Sequence, residues 1–292
     1  MGKRRLAFID VSEVGVRMSE RIGLIAGAGE LPCVLAERAA ERGKEVVVIK
    51  TLAGAPVRPL PGARVHDVFF GEWDRIVRTL KSEGVTRVYL AGKISREHLY
   101  STSGFDARFM AIVSAAGSRN DDAMMLRFVE DLEREGIEVG SQLDYLDHLC
   151  FEPGVLTSRR PSPSEWEDIA RGFEVAKGIA ALDVGQTAVV KQGGVLAVEA
   201  IEGTDRTIQR GLELGRGGAV IVKVAKPKQD LRFDVPTVGQ NTLEAISRAG
   251  GGTLAFEARI TLAVEGKRFV DAAEQLGITV VSYEPGLEGA YS

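Results

Sequence analysis

Short apolar runs alternate with amphipathic stretches through the first half of the chain. Ile22–Ala26 is apolar throughout, as a buried strand would be, and Pro32–Arg42 carries helical periodicity with proline in the first turn. Gly43 closes that helix, and Glu45–Ile49 (EVVVI) predicts the next strand. The amphipathic stretch Glu72–Glu83, closed by Gly84, leads into a strand at Arg87–Ala91 (RVYLA). Phe105–Ala116 and Asp121–Glu135 predict two more helices, the second ended by Gly136. Strands alternating with helices imply an α/β domain with a mostly parallel, doubly wound sheet over residues 18–152.

The pattern changes at Pro153–Ser164 (PGVLTSRRPSPS), which carries three prolines and little periodicity, so residues 153–164 are expected to link two domains. A helix comes next over Glu165–Leu182. Thr187–Lys191 and Val195–Ala200 then predict a hairpin across Gln192-Gly193-Gly194. Beyond it come helix Asp205–Leu214, strand Ala219–Val224, an irregular polar loop, helix Thr242–Ala249, strand Thr253–Glu257, helix Gly266–Leu276 and strand Thr279–Tyr283. Residues 165–292 therefore read as a distinct mixed α/β domain. Residues 1–17 read as an N-terminal extension, with Met18 available as an alternative start.

A length of 292 residues suits two domains sharing a cleft. Hydrophobic residues at 45% and charged residues at 27% give the balance of a soluble protein. The net charge, 37 − 41 = −4, offers no footprint for nucleic acid. No apolar run reaches the roughly 20 residues that span a bilayer. Asp10 and Glu13 interrupt the stretch after Lys3, Arg4 and Arg5, so no signal-peptide core exists and a cytoplasmic location is expected. Cys33 and Cys150 are too far apart and too few for a zinc site or a disulfide framework, and read as reduced thiols. His66, His98 and His148 lack metal-binding spacing.

Three places carry candidate chemistry. Gly27-Ala28-Gly29-Glu30-Leu31-Pro32 joins the first strand to the first helix, where glycines and helix-start N–H groups suit phosphate. A dinucleotide fingerprint would need glycine at Pro32 and an acid at Lys50, so a nicotinamide-dependent oxidoreductase is the rival reading; a structural turn is another. Lys93, after Ala91-Gly92, points to the same sheet edge as a phosphate contact or an ordinary surface lysine. In the second half, Glu199, Glu202, Thr204 and Asp205 cluster after a strand, the last two also explicable as helix-start residues. Residues 223–239 place Lys223, Lys226, Lys228, Asp230, Arg232 and Asp234 in a segment interrupted by two prolines. Such a segment is either a solvated loop or a site where cations neutralise phosphate while carboxylates hold Mg²⁺ or Mn²⁺. Asp121-Asp122 suit a helix start or catalysis equally.

At these motifs the chain resembles the LpxI family of UDP-2,3-diacylglucosamine pyrophosphatases of lipid A synthesis. The residues that carry the resemblance are IGLIAGAGELP (Ile22–Pro32), NDDAMMLR (Asn120–Arg127), DVGQTAVVKQGGVLAVEAIEGTD (Asp183–Asp205) and KVAKPKQDLRFDVPTVGQNT (Lys223–Thr242). The resemblance implies a Rossmann-like N-terminal domain, a C-terminal α/β domain and an acylated UDP-sugar substrate between them. It implies Mg²⁺-dependent release of UMP and 2,3-diacylglucosamine 1-phosphate. By position, Asp234 becomes the first candidate for an essential carboxylate, with Asp230, Lys226 and Arg232 as further catalytic candidates. Glu199, Glu202 and Asp205 join Asp234 as candidate metal ligands. Gly27, Gly29, Lys93, Asp122, Lys223, Gln229 and Thr237 are the candidate substrate contacts. An apolar channel for acyl chains is expected mainly in the C-terminal half, with at most transient contact at the inner membrane, and a homodimer is a further expectation. A non-catalytic nucleotide-lipid binding protein is the remaining rival; it would not need Asp234.

Overall fold

The computed structural model describes residues 20–52, 62–94, 104–116 and 121–287. The N-terminal extension and His98 lie outside these described residues. Five parallel strands form the first sheet: β1 (Arg21–Ala26), β2 (Glu45–Lys50), β3 (Arg64–Asp67), β4 (Arg87–Ala91) and β5 (Glu138–Val139), in the order β3-β2-β1-β4-β5. That is the strand order of a doubly wound sheet. Side chains alternate faces along β2, and both faces are apolar because both are covered. Val46 and Val48 pack with Leu35, Ala36 and Ala39 of helix α1 (Leu31–Glu41). Val47 and Ile49 pack on the opposite face with helices α2 (Trp73–Ser82), α3 (Ala107–Ala115) and α4 (Asp121–Arg134), through Ile76, Leu80, Phe109 and Phe128. The predicted α/β architecture is observed, with helix ends shifted by a residue or two. Strand β3 was not predicted: its residues RVHD lie at the sheet edge, largely exposed, and so carry no apolar signal.

A short helix α5 (Leu143–Leu146) leads to the second sheet. Its elements are β6 (Gly154–Val155), α6 (Pro163–Ala181), β7 (Thr187–Lys191), β8 (Gly194–Val198), α7 (Thr204–Gly215), β9 (Ala219–Lys223), α8 (Gln240–Arg248), β11 (Gly252–Glu257), α9 (Lys267–Gln275) and β13 (Thr279–Tyr283). Between them, β10 (Thr237–Val238) and β12 (Leu262–Ala263) make a separate two-stranded parallel ladder. The larger sheet runs β6-β13-β11-β9-β7-β8. Strands β9, β11 and β13 are mutually parallel, whereas β6, β7 and β8 pair antiparallel, so the second domain is mixed as expected. The hairpin turns at Gln192 and Gly193, both with positive φ (51° and 75°), and Asp168 of α6 accepts both of their N–H groups at 2.8 and 2.7 Å.

The stretch expected to link the two domains is bonded into the second sheet. Gly154 and Val155 pair with β13, and Thr157 accepts the Val280 N–H at 3.0 Å. Ser162 caps α6 in a capping box with Glu165. Glu165 also accepts from Thr253 Oγ1 at 2.6 Å and from Arg159 at 2.8 Å. Pro153 precedes the edge strand, and Pro163 opens α6 at its first position, where no N–H is needed. The two halves share a core, because Leu231, Val235 and Leu262 pack with Tyr145, Leu146 and Leu149 in the cluster under α1.

Candidate active site

Past Lys223 at the end of β9, Pro227 and Pro236 forbid a continuing strand, and residues 224–236 run as an irregular segment. Its entry is gripped at one residue. Ala225 N–H donates to Glu257 Oε2 at 2.7 Å, Lys177 Nζ donates to Ala225 O at 2.9 Å, and Lys177 and Glu257 pair at 2.7 Å. The next residue, Lys226, places its ammonium among three carboxylates: Asp122 Oδ2 at 2.5 Å, Asp183 Oδ1 at 3.0 Å and Asp234 Oδ2 at 3.3 Å. Asp122 belongs to the first domain, so this cluster bridges the two halves. Burial opposes the charge on Lys226, but the bonds to Asp122 and Asp183 and the charge of Asp234 push its pKa up. Burial pushes the Asp122 carboxyl above its ordinary value, against the pull of Lys226. Gln229 fixes the geometry from within the loop: its Oε1 accepts Lys226 N–H at 2.7 Å, and its Nε2 donates to Asp234 Oδ2 at 2.6 Å.

Lys223 forms a second cationic point. Its Nζ donates to Thr237 O at 2.8 Å and lies 3.4 Å from Thr204 Oγ1. Burial pushes its pKa down; Glu199, Asp205 and Asp234 pull it up, and the charge of Lys93 adds to the lowering. Lys93 from the first domain and Asp234 from the loop are thus both close enough to act on it. Thr237 takes part through its carbonyl, while its hydroxyl donates to Val235 O.

Other candidates have different occupations. Gly27 and Ala28 donate their N–H groups to Ala91 O and Lys93 O, at 2.8 and 2.9 Å, so these are not open to phosphate. A Cβ on Gly27 would meet Lys93 O at 2.8 Å: the glycine is there for close approach of two loops. Gly29 has a φ of 102° and open space beside it. Asp230 and Arg232 form a bidentate pair (2.9 and 2.7 Å), and Arg232 continues to Glu133 of α4 at 3.0 Å. With Gln142 N–H donating to Leu231 O at 2.8 Å, they fasten the loop to the first domain. Glu199 accepts from Thr204 Oγ1 at 2.9 Å and Gln186 N–H at 3.2 Å. Glu202 is bonded by Arg210 at 2.7 Å, and Asp205 is exposed in the first turn of α7. Among the described residues no group of three or more His, Cys, Asp or Glu side chains has metal-binding spacing. Asp183, not among the candidates the sequence suggests, is brought into the cluster; it ends a helix with no nearby acidic partner to draw notice. Lys50, the residue that argued against a dinucleotide, pairs with Asp67 at 3.1 Å.

Beside the cluster lies an apolar cavity of about 210 Å³. Phe70, Trp73, Phe109, Met124 and Met125 line it from the first domain, and Phe233 from the loop. Whereas an acyl channel is expected mainly in the C-terminal half, this cavity is lined mainly from the N-terminal half, with Phe233 its contribution from the other. No helix among the described residues is long and apolar enough to cross a membrane.

Sequence profiles of the LpxI N-terminal domain and the LpxI C-terminal domain match residues 21–149 and 152–281 respectively. The chain belongs to the LpxI family. A relative from Caulobacter vibrioides, named UDP-2,3-diacylglucosamine pyrophosphatase LpxI, is 36% identical over 278 residues, covering 91% of this chain and 98% of that one. Likenesses to solved structures are remote. WbmG of Bordetella bronchiseptica in complex with NAD shares 18% identity over 42% of this chain and 37% of its own length, with a TM-score of 0.27. The UDP-glucose 4-epimerase of Thermus thermophilus shares 14% identity over 90% of this chain and 77% of that one, with a TM-score of 0.32. Scores at that level add nothing to the fold already described, and the family assignment stands on sequence.

Proposed function

We propose that this chain hydrolyses the pyrophosphate of UDP-2,3-diacylglucosamine to UMP and 2,3-diacylglucosamine 1-phosphate, at the junction of its two domains. Beyond the family relationship, one observation carries the reading: Phe233 lines the apolar cavity while the adjacent Asp234 joins the charged cluster at Lys226. A seat for hydrocarbon and a group of ionised side chains on consecutive residues suit a substrate that is part lipid and part phosphate. Each methylene buried there is worth about 0.8 kcal/mol.

In this scheme Lys226 and Lys223 neutralise phosphate oxygens as water attacks, in a site where charge counts for more than in open solvent. Lys93 adds a further cation from the first domain. Asp234, oriented by Gln229, takes the proton of the attacking water. A hard divalent cation fits the donors in kind, since Mg²⁺ commonly takes one or two carboxylates together with phosphate oxygens and water. Asp234 and Asp122 would hold it, and when bound it would withdraw charge from the scissile linkage.

UMP release from UDP-2,3-diacylglucosamine by the purified protein tests the proposal. Turnover is expected with Mg²⁺ or Mn²⁺, lost in excess chelator and restored on adding metal. Absence of UMP with metal present would overturn the reaction, and full turnover in excess chelator would overturn the metal.

A further inference from the structure

Asp183 breaks two local rules where it stands. Helix α6 ends in a Schellman motif: Val184 N–H donates to Ile179 O and Asp183 N–H to Ala180 O, both at 3.1 Å. Asp183 holds the left-handed position of that motif, with a φ of 54°. At the equivalent place after α1, α2 and α4 the chain uses Gly43, Gly84 and Gly136, and after α7 it uses a cation, Arg216 (φ 55°). A carboxylate is also the wrong charge for a helix C-terminus, where the carbonyl ends of the dipole favour a cation. Local rules broken together point to a requirement from elsewhere in the fold. Here the requirement is visible, because Asp183 Oδ1 meets Lys226 Nζ at 3.0 Å.

We infer that Asp183 is a positioning residue of the reaction centre, which holds the Lys226 ammonium in place through the left-handed turn that ends α6. The α6 terminus is itself fixed: Lys177, one turn and a half earlier, grips Ala225 next to Lys226. The same helix therefore holds Lys226 from two sides, by the backbone before it and by the ammonium at its tip. Without Asp183, the ammonium keeps only Asp122 and Asp234 and is drawn toward the first domain, away from a central position. This role rests on the proposed pyrophosphatase reaction for its effect on rate, but not for its effect on Lys226.

Asp183→Asn is the discriminating variant, because asparagine keeps the shape and tolerates the left-handed backbone. Lys226 keeps the Asp122 and Asp234 carboxylates in this variant, so the thermal midpoint is expected to stay within about 2 °C of wild type. Two readouts decide the role. Trace acetylation with peptide mass spectrometry should find Lys226 severalfold more reactive in the variant, whatever reaction the protein catalyses. In UMP release, kcat should fall about tenfold or more with KM changed less than about threefold. The fall should be non-additive with Lys226→Met, since both act through one ammonium. Unchanged Lys226 reactivity overturns the inference, as does wild-type kcat in a variant assayed beside an active wild type. If wild type itself releases no UMP, the reaction is wrong and the acetylation result still decides the role of Asp183.

Discussion

The substitution Glu165→Gln keeps the size of the side chain, removes its charge and turns one of two accepting oxygens into a donor. Glu165 accepts from Ser162 N–H at 2.8 Å, from Thr253 Oγ1 at 2.6 Å and from the Arg159 guanidinium at 2.9 and 2.8 Å. Burial alone would raise its pKa; these donors outweigh burial and hold the carboxyl at about 2, against an ordinary 4.5. The difference of about 2.5 units, at 1.36 kcal/mol each, makes about 3 kcal/mol of stability at neutral pH. Because the folded pKa is depressed, that contribution is complete above about pH 4.5 and is lost as pH falls toward 2. Urea unfolding of wild type and Glu165→Gln, followed by fluorescence of the neighbouring Trp166, should show a gap of about 3 kcal/mol at pH 7. At pH 3 it should narrow to about 1 kcal/mol. A gap of equal size at both pH values would refute the electrostatic account and leave the lost acceptor as the cause; no gap at pH 7 would remove Glu165 as the anchor of the connector.

Two further outcomes concern the site. Asp234→Asn should lower turnover on the order of a thousandfold with the fold intact by circular dichroism, and a variant keeping a tenth of wild-type rate would remove Asp234 from its role. UDP-2,3-diacylglucosamine should be cleaved far faster than UDP-N-acetylglucosamine at equal low concentration, with the advantage in kcat as well as KM, because binding energy from the chains can orient the pyrophosphate. Equal kcat/KM for the two would favour recognition of UDP alone.

The fold was legible where burial writes a period into the sequence. Val46–Ile49, a short β-branched run closed by Gly43 before it, was legible as a strand because both its faces are covered, whereas Arg64–Asp67 pair at an exposed edge and carry no apolar signal. The connector's prolines, one before a short edge strand and one opening α6, do not tell in sequence that the stretch is bonded into the second sheet. In the site, Asp234, Lys226 and Gln229 were legible as a loop rich in both charges between prolines, but their partners were not. Asp122 and Asp183 lie 104 and 43 residues before Lys226; the first meets it through the docking of two domains, the second through the packing of α6 on its own sheet. Conversely, Asp230 with Arg232, and Glu202 with Arg210, looked available in sequence and are paired in the structure. Gly27 was visible as special, yet its reason is the backbone of Lys93 rather than a phosphate.

The adjacency of Phe233 and Asp234 makes the loop a caliper. One trans peptide sets their Cα atoms about 3.8 Å apart, so the distance between the hydrocarbon seat and the charged cluster is set by covalent geometry rather than by the fit of two domains. Gln229, the Asp230–Arg232 pair and the Leu231 carbonyl secure that caliper to both halves. Under the proposed reaction, a ligand would be gauged by the spacing between its acyl attachment and its phosphorus, and chain length beyond that span would change affinity without moving the point of attack.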